Sequence, residues 1–195
     1  MKNLILLYLS LATFFAAAQV NKVARMEPIL TNGYYVTLRG DTIKGKIQVN
    51  PPSTEDFYRQ FYFQAPRTKK TKLFTVQRAK AYGYDDKNFV TADLNGKKLF
   101  IERLVTGRLR FYEFKYSEKA DLNSNLESVY FIKDTEAEDA SLKKLKKLTP
   151  KFYKKTLKPF MKDQPAVWSE LDKYNFSEQN IISAVNQFNM YYEQK

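Results

Sequence analysis

The stretch 33–49, GYYVTLRGDTIKGKIQV, decides the reading of the fold. Its first half, 33–39, is rich in aromatic and β-branched residues, the types that suit a pleated, half-buried surface. Gly40-Asp41 interrupts the run, and from Thr42 the chain alternates, which sets Ile43, Gly45, Ile47 and Val49 on one face. Two such runs around a glycine-containing turn predict a β-hairpin. Pro51-Pro52-Ser53 closes it.

The same pattern repeats downstream. Runs 57–64 and 72–76 read as strands joined by the basic loop Arg67-Thr68-Lys69-Lys70. Runs 82–84 and 88–94 flank Asp85-Asp86, which reads as a turn, and Asn95-Gly96 is a strong hairpin signal before 98–105. Gly107 separates that run from 109–116, and 128–132 reads as a last strand. Strands at intervals of about ten residues, with turn chemistry and no helices between them, predict an antiparallel meander of about seven to nine short strands. It would curl into a barrel or fold as a sandwich. Glu113 and Lys115 alternate with Tyr112, Phe114 and Tyr116, which predicts a wet face carrying the charges and a dry face carrying the rings. Several strands are too short and too charged for a transmembrane barrel.

After residue 133 the period changes. Thr135 with Glu138 forms a capping box, Glu136, Glu138 and Asp139 suit a positive helix end, and Leu142, Leu145 and Leu148 follow among lysines. Thr149-Pro150 reads as a cap followed by proline at the first helical position. Tyr153, Leu157, Phe160 and Met161 share a face, with Pro159 placed to kink or end the helix. Asp163-Gln164-Pro165 starts a short helix carrying Val167, Trp168 and Leu171. Ser177 caps a final one with Ile181, Val185, Phe188 and Tyr192 on its apolar face. The fold class is therefore α+β: an antiparallel β-domain over 19–133, then a region of three to four helices over 134–195, packed on or beside the sheet.

The N-terminus reads as a secretory signal peptide, residues 1–18. Met1-Lys2-Asn3 is positively charged, 4–15 (LILLYLSLATFF) is mostly apolar, and Ala16-Ala17-Ala18 offers small residues for cleavage. The apolar run is shorter than the ~20 residues a membrane span needs. Without Cys at the cleavage point no lipid anchor is added there. The expected location is periplasmic, outer-membrane-associated or extracellular.

Composition removes whole classes of chemistry. The 195 residues include no His and no Cys, so there is no Ser-His-Asp triad, no Cys-His pair, no thiol redox and no structural zinc of the His/Cys kind. No Walker loop, dinucleotide fingerprint or nucleophile elbow occurs. No cofactor and no metal are expected.

The hairpin 33–47 resembles the opening of a group of uncharacterised exported proteins of Gram-negative bacteria, whose mature chains begin G-Y-x-V-x-L-x-G-D-T-I-x-G-x-I. The block 99–112, LFIERLVTGRLRFY, is similar to their strand pair F-L-E-x-L-V-x-G-x-x-x-L-Y, and the tail from Tyr153 to Asn189 is similar to their helical end. The resemblance implies an envelope location and a β-plus-helix module. It implies no activity. The chain departs from the group at Gln164, where relatives carry Cys, and it lacks the outer-membrane barrel into which many relatives continue.

The sharpest candidate site is a lysine cluster. Residues 143–162 hold Lys143, Lys144, Lys146, Lys147, Lys151, Lys154, Lys155, Lys158 and Lys162 with no acidic residue, in a chain of net charge +12. Such a patch suits a polyanion or an anionic lipid surface, and the bland alternative is a solvated face. Export argues against nucleic acid. Asp85-Asp86 with Asp93 lacks the spaced ligands of a calcium loop and reads as a turn. Glu102 and Glu113 could face each other across two strands at glycosidase separation, but beside Arg103 and Arg110 they read more simply as charged surface. The fourteen tyrosines either fill a sheet face or stack on a ligand such as a sugar. The leading expectation is an exported, non-enzymatic envelope module that docks on a partner protein or an anionic envelope surface. Two alternatives stand beside it: a glycan or small-ligand binder using the aromatic sheet face, and a carboxylate-only hydrolase.

Overall fold

The computed structural model describes residues 27–117, 126–138, 140–141, 143–162, 164–173 and 175–193. The signal-peptide assignment at 1–18, and Asp139, Leu142 and Asp163 of the helix expectations, lie outside them.

The chain is α+β. Its strands are β1 (Leu30–Thr37), β2 (Thr42–Gln48), β3 (Gln60–Gln64), β4 (Thr71–Thr75), β5 (Ala79–Tyr84), β6 (Lys87–Leu94), β7 (Lys97–Val105), β8 (Leu109–Tyr116), β9 (Glu127–Asp134) and β10 (Lys146–Leu148). A single-turn helix α1 (Asp56–Arg59) precedes β3, and α2 (Tyr153–Met161), α3 (Pro165–Lys173) and α4 (Glu178–Glu193) follow β10. All ten strands join one antiparallel sheet of order β10-β9-β8-β7-β6-β5-β1-β2-β3-β4. That is one strand more than the upper expectation, and the extra strand is β10.

The sheet is neither a closed barrel nor a sandwich. It is two meanders, β1–β4 and β5–β10, fused where β1 pairs with β5. The join forces the sheet to curl. In a flat sheet β4 would lie four strand spacings from β5, roughly 19 Å away. Yet β4 passes to β5 through one tight turn, closed by Arg78 N–H donating to Thr75 O at 2.9 Å. Such a turn brings its ends within about 7 Å. Strands β1–β5 must therefore wrap around their own side chains.

Those side chains are rings. Phe61, Phe63, Tyr82, Phe89 and Phe100 are buried inside the curl with Ile47 and Tyr58. Tyr82 stacks on Phe61 at 4.2 Å and on Phe89 at 4.6 Å between centroids. Burying each such side chain contributes about 1.5–3 kcal/mol. Gly45 makes the wrap close enough: a Cβ there would run into the Phe63 ring and the Gln64 carbonyl.

Register carries one row across the sheet: Ile43, Tyr35, Tyr82, Phe89, Glu102, Glu113, Tyr130 and Leu148 lie side by side on successive strands. They share the concave face. At one end this face is filled by the rings, and at the other by the helices. There Phe111, Ile132 and Leu148 pack with Leu157, Met161, Leu171, Ile181, Val185 and Phe188. Asn189 of α4 locks the helices to the sheet. Its amide accepts from Leu109 N–H at 2.8 Å and donates to the carbonyls of Leu109 and Thr106 at 2.9 and 3.2 Å. Gly107, at φ 136°, leaves the space the amide occupies.

Four local expectations are corrected. The strand expected at 57–64 begins only at Gln60, because Asp56–Arg59 turns as α1. The helix expected from Thr135 to Leu148 does not form in the described residues, which make turns and then β10. Thr135 is spent elsewhere: its N–H and its hydroxyl both donate to Arg108 O, at 2.9 and 3.0 Å. Thr149 does not cap α2 with its side chain; its carbonyl accepts from Phe152 and Tyr153, and regular helix starts at Tyr153. The wet-and-dry assignment of β8 does not hold, because Glu113 lies on the covered face at 2% exposed while Tyr112 on the other face is buried as well, at 4%. Ser177 does cap α4, accepting from Asn180 N–H at 3.2 Å. Pro159 lies inside α2, which ends at Met161.

Candidate functional site

The nine lysines fall into three settings. Lys143 and Lys144 are exposed in the loop before β10. Lys146 and Lys147 are neighbours on β10, where strand pleating sends them to opposite faces of the sheet edge. Short, lysine-bearing edges also discourage pairing with another chain. The remaining five lie in and beside α2. Lys155 and Lys158 sit on its outer side, Lys151 in the turn two residues before it and Lys162 at its C-cap; the spacings of four, three and four suit one side of a helix, and all four are exposed. The opposite side is buried through Tyr153, Leu157, Phe160 and Met161. Lys154 stands apart, because Asp172 on α3 takes it at 2.9 Å. The sequence cluster therefore resolves into a cationic stripe along α2 plus scattered neighbours. Phe152, 53% exposed, stands beside the stripe with Lys151 over its ring at 5.3 Å.

A groove of about 570 Å3 lies on the convex face of the sheet. Its floor is Leu94, Leu99, Phe114, Phe131 and Leu145, and its margins carry Arg59, Lys97 and Lys147. Period-two alternation builds it: Phe114 and Phe131 point away from the helices because Glu113 and Ile132 point toward them. The sequence marked Lys147 and the β8 rings, but not that they share a concavity.

Glu102 and Glu113 form the most unusual charged pair. They are directly opposite across β7 and β8, 8% and 2% exposed. They are also the last pair of that ladder. Beyond them β7 continues beside β6 to Lys97 and β8 beside β9 to Tyr116, and α1 fills the fork. Tyr58 packs between Phe89 and Phe114, and Glu55 accepts from Ser117 N–H. Glu113 takes Lys115 at 3.1 Å and the Ser128 hydroxyl at 2.7 Å, and Glu102 takes Lys87 at 3.4 Å. Burial raises the Glu102 carboxyl above the ordinary glutamate range; Lys87 draws it down, and Glu113 pushes it up again. The expectation that these two belong to an exposed charged surface is corrected. They are buried acids, each with its own lysine.

The remaining candidates have structural settings. Asp85, at φ 48°, makes the β5–β6 turn and accepts from the Thr31 hydroxyl at 3.2 Å. Asp93 accepts from Gly96 N–H at 2.7 Å in the β6–β7 turn. Among the described residues no three acidic side chains gather to hold a metal ion. Tyr58, Tyr82 and Tyr84 are buried, and burial raises each phenol well above the ordinary tyrosine range. None of the described helices is long and apolar enough to cross a membrane. Compared with known proteins, the chain matches no protein family, no curated protein and no solved structure.

Proposed function

We propose that this protein is an exported, non-enzymatic binding module of the cell envelope that docks on an anionic surface through the outer side of α2. The observation that carries the reading is the set of four exposed lysines along and at the ends of α2, with Lys155 and Lys158 on the helix, Lys151 in the turn before it and Lys162 at its C-cap, while the helix's other side is anchored in the core. Each lysine near an acidic membrane contributes about 1 kcal/mol, so the four together contribute roughly 4 kcal/mol, about a thousandfold in partition. The exposed Phe152 ring beside them suits an interface between polar headgroups and acyl chains. The signal-like N-terminus and the resemblance to exported proteins support the location. The absence of His and Cys supports a role without nucleophilic or metal chemistry of the usual kinds.

Co-sedimentation with phosphatidylglycerol vesicles is the test. The mature chain should pellet with them and not with phosphatidylcholine. Reversing all four lysines to glutamate should abolish pelleting while circular dichroism stays unchanged. Undiminished pelleting of the variant at low salt removes the stripe from the account. Cell fractionation tests export separately, and an unprocessed product in the cytosol would sink it.

A carboxylate-only hydrolase keeps one specific observation, the opposed Glu102 and Glu113 with one raised carboxyl. It ranks second because each acid is already held by a lysine and neither lines the convex groove. The aromatic-face reading for glycans loses ground, since the rings of the row are packed against one another inside the curl.

A further inference from the structure

We propose that the convex-face groove is a binding site for a single-chain anionic amphiphile, such as a fatty acid. This ligand is distinct from whatever α2 docks on, and the proposal does not depend on that docking. Three observations carry it. The volume, about 570 Å3, lies within the roughly 300–1,000 Å3 usual for small-ligand sites. The floor is aliphatic and aromatic, and its five residues span β6, β7, β8, β9 and the approach to β10. A run of apolar side chains across that many strands suits an elongated hydrocarbon body.

Charge selects the head group. Lys97 and Lys147 both stand at the groove margin, exposed, and no carboxylate among the described residues pairs with either. Arg59 also reaches the margin but is held by Glu55 at 3.1 Å; Asp93, which accepts from Gly96 N–H through one oxygen in the turn it caps, is the single carboxylate among the lining residues, and the lysines outnumber it. Either uncommitted ammonium group, standing at the margin of an apolar floor, complements a carboxylate on a hydrocarbon chain. It does not complement a neutral or cationic one. The lysines lie on different elements, β7 and β10, so the site exists only in the folded sheet.

Titration of the full mature chain with a fluorescent fatty acid, 11-(dansylamino)undecanoic acid, reads the site directly. Saturable binding at one probe per chain is expected, with at least tenfold weaker binding of its methyl ester. Lys97→Glu with Lys147→Glu should weaken the acid at least tenfold and leave the ester nearly unchanged. Val129 on β9 also lines the groove, and Val129→Trp, which fills it, should abolish both. The α2 variant with four reversed lysines should bind the acid as the natural chain does, which separates failure here from failure of α2 docking. The proposal is overturned by absence of saturable binding, by equal affinity for acid and ester, or by indifference to Val129→Trp.

Discussion

Glu113 carries a carboxylate into the covered face of the sheet because two groups meet it there. Lys115, two residues along the same strand, curls back to one oxygen and Ser128 across β9 donates to the other, while Glu102 stands opposite. A period-two pattern marks two faces but not which one becomes covered. Charges alternating with tyrosines therefore read as a wet face, when helices from about forty to eighty residues downstream cover that side. Glu102 gives this a measurable form. Its carboxyl is raised chiefly by burial, so the folded state holds the proton at pH values where the unfolded chain has lost it. Its contribution is thus full below the unfolded value, near 4.5, and is lost as pH rises through the folded one. Glu102→Gln lacks this dependence. Urea titrations from pH 4 to 8 should show the natural chain losing stability relative to the variant as pH rises, and a gap of the opposite slope would refute the assignment.

Elements defined by local chemistry were legible. Asn95 and Gly96 take φ of 56° and 81°, the pair of positive values that a two-residue hairpin demands, and the dipeptide announced it. The hairpin of β1 and β2, the Asp85 turn and the Ser177 cap follow the same logic. Elements that depend on a distant partner were not. The Thr135–Glu138 spacing suits a helix, but Thr135 is drawn to Arg108 and the lysines beyond it pair onto β9 as β10. At α2 the spacing of Lys151, Lys155, Lys158 and Lys162 was present and was hidden only by the lysines around it. Close packing between elements is testable at Gly45, whose missing side chain lets β3 lie against β2. Gly45→Ala should cost about 1–3 kcal/mol in chemical denaturation, as overpacking does. A neutral effect would mean that β3 yields easily.

At the scale of the molecule, the pairing of β1 with β5 governs the rest, and nothing local in either strand announced it. It encloses the rings, and with them several phenols. Burial raises Tyr58, Tyr82, Tyr84, Tyr112 and Tyr130 above the ordinary value of 10. A group that holds its proton more tightly when folded stabilises the fold less and less as pH climbs past that value. Alkaline titration followed at 295 nm should therefore show a late wave coincident with loss of the far-ultraviolet dichroism. Smooth titration of all phenols before unfolding would mean the curl is open to water.

The same pairing sets a timetable. During synthesis the earliest strand occupies the middle of the final arrangement, so one of its sides stays vacant until Tyr84 has emerged. The β1–β4 meander can assemble meanwhile, but its wrap cannot shut, because the strand that shuts it is made next. A ribosome-bound fragment ending before β5 would thus present both an unpaired ribbon and uncovered aromatic rings to its surroundings. Attendant chaperones would meet this protein at that moment, and release from them should coincide with the arrival of the fifth strand.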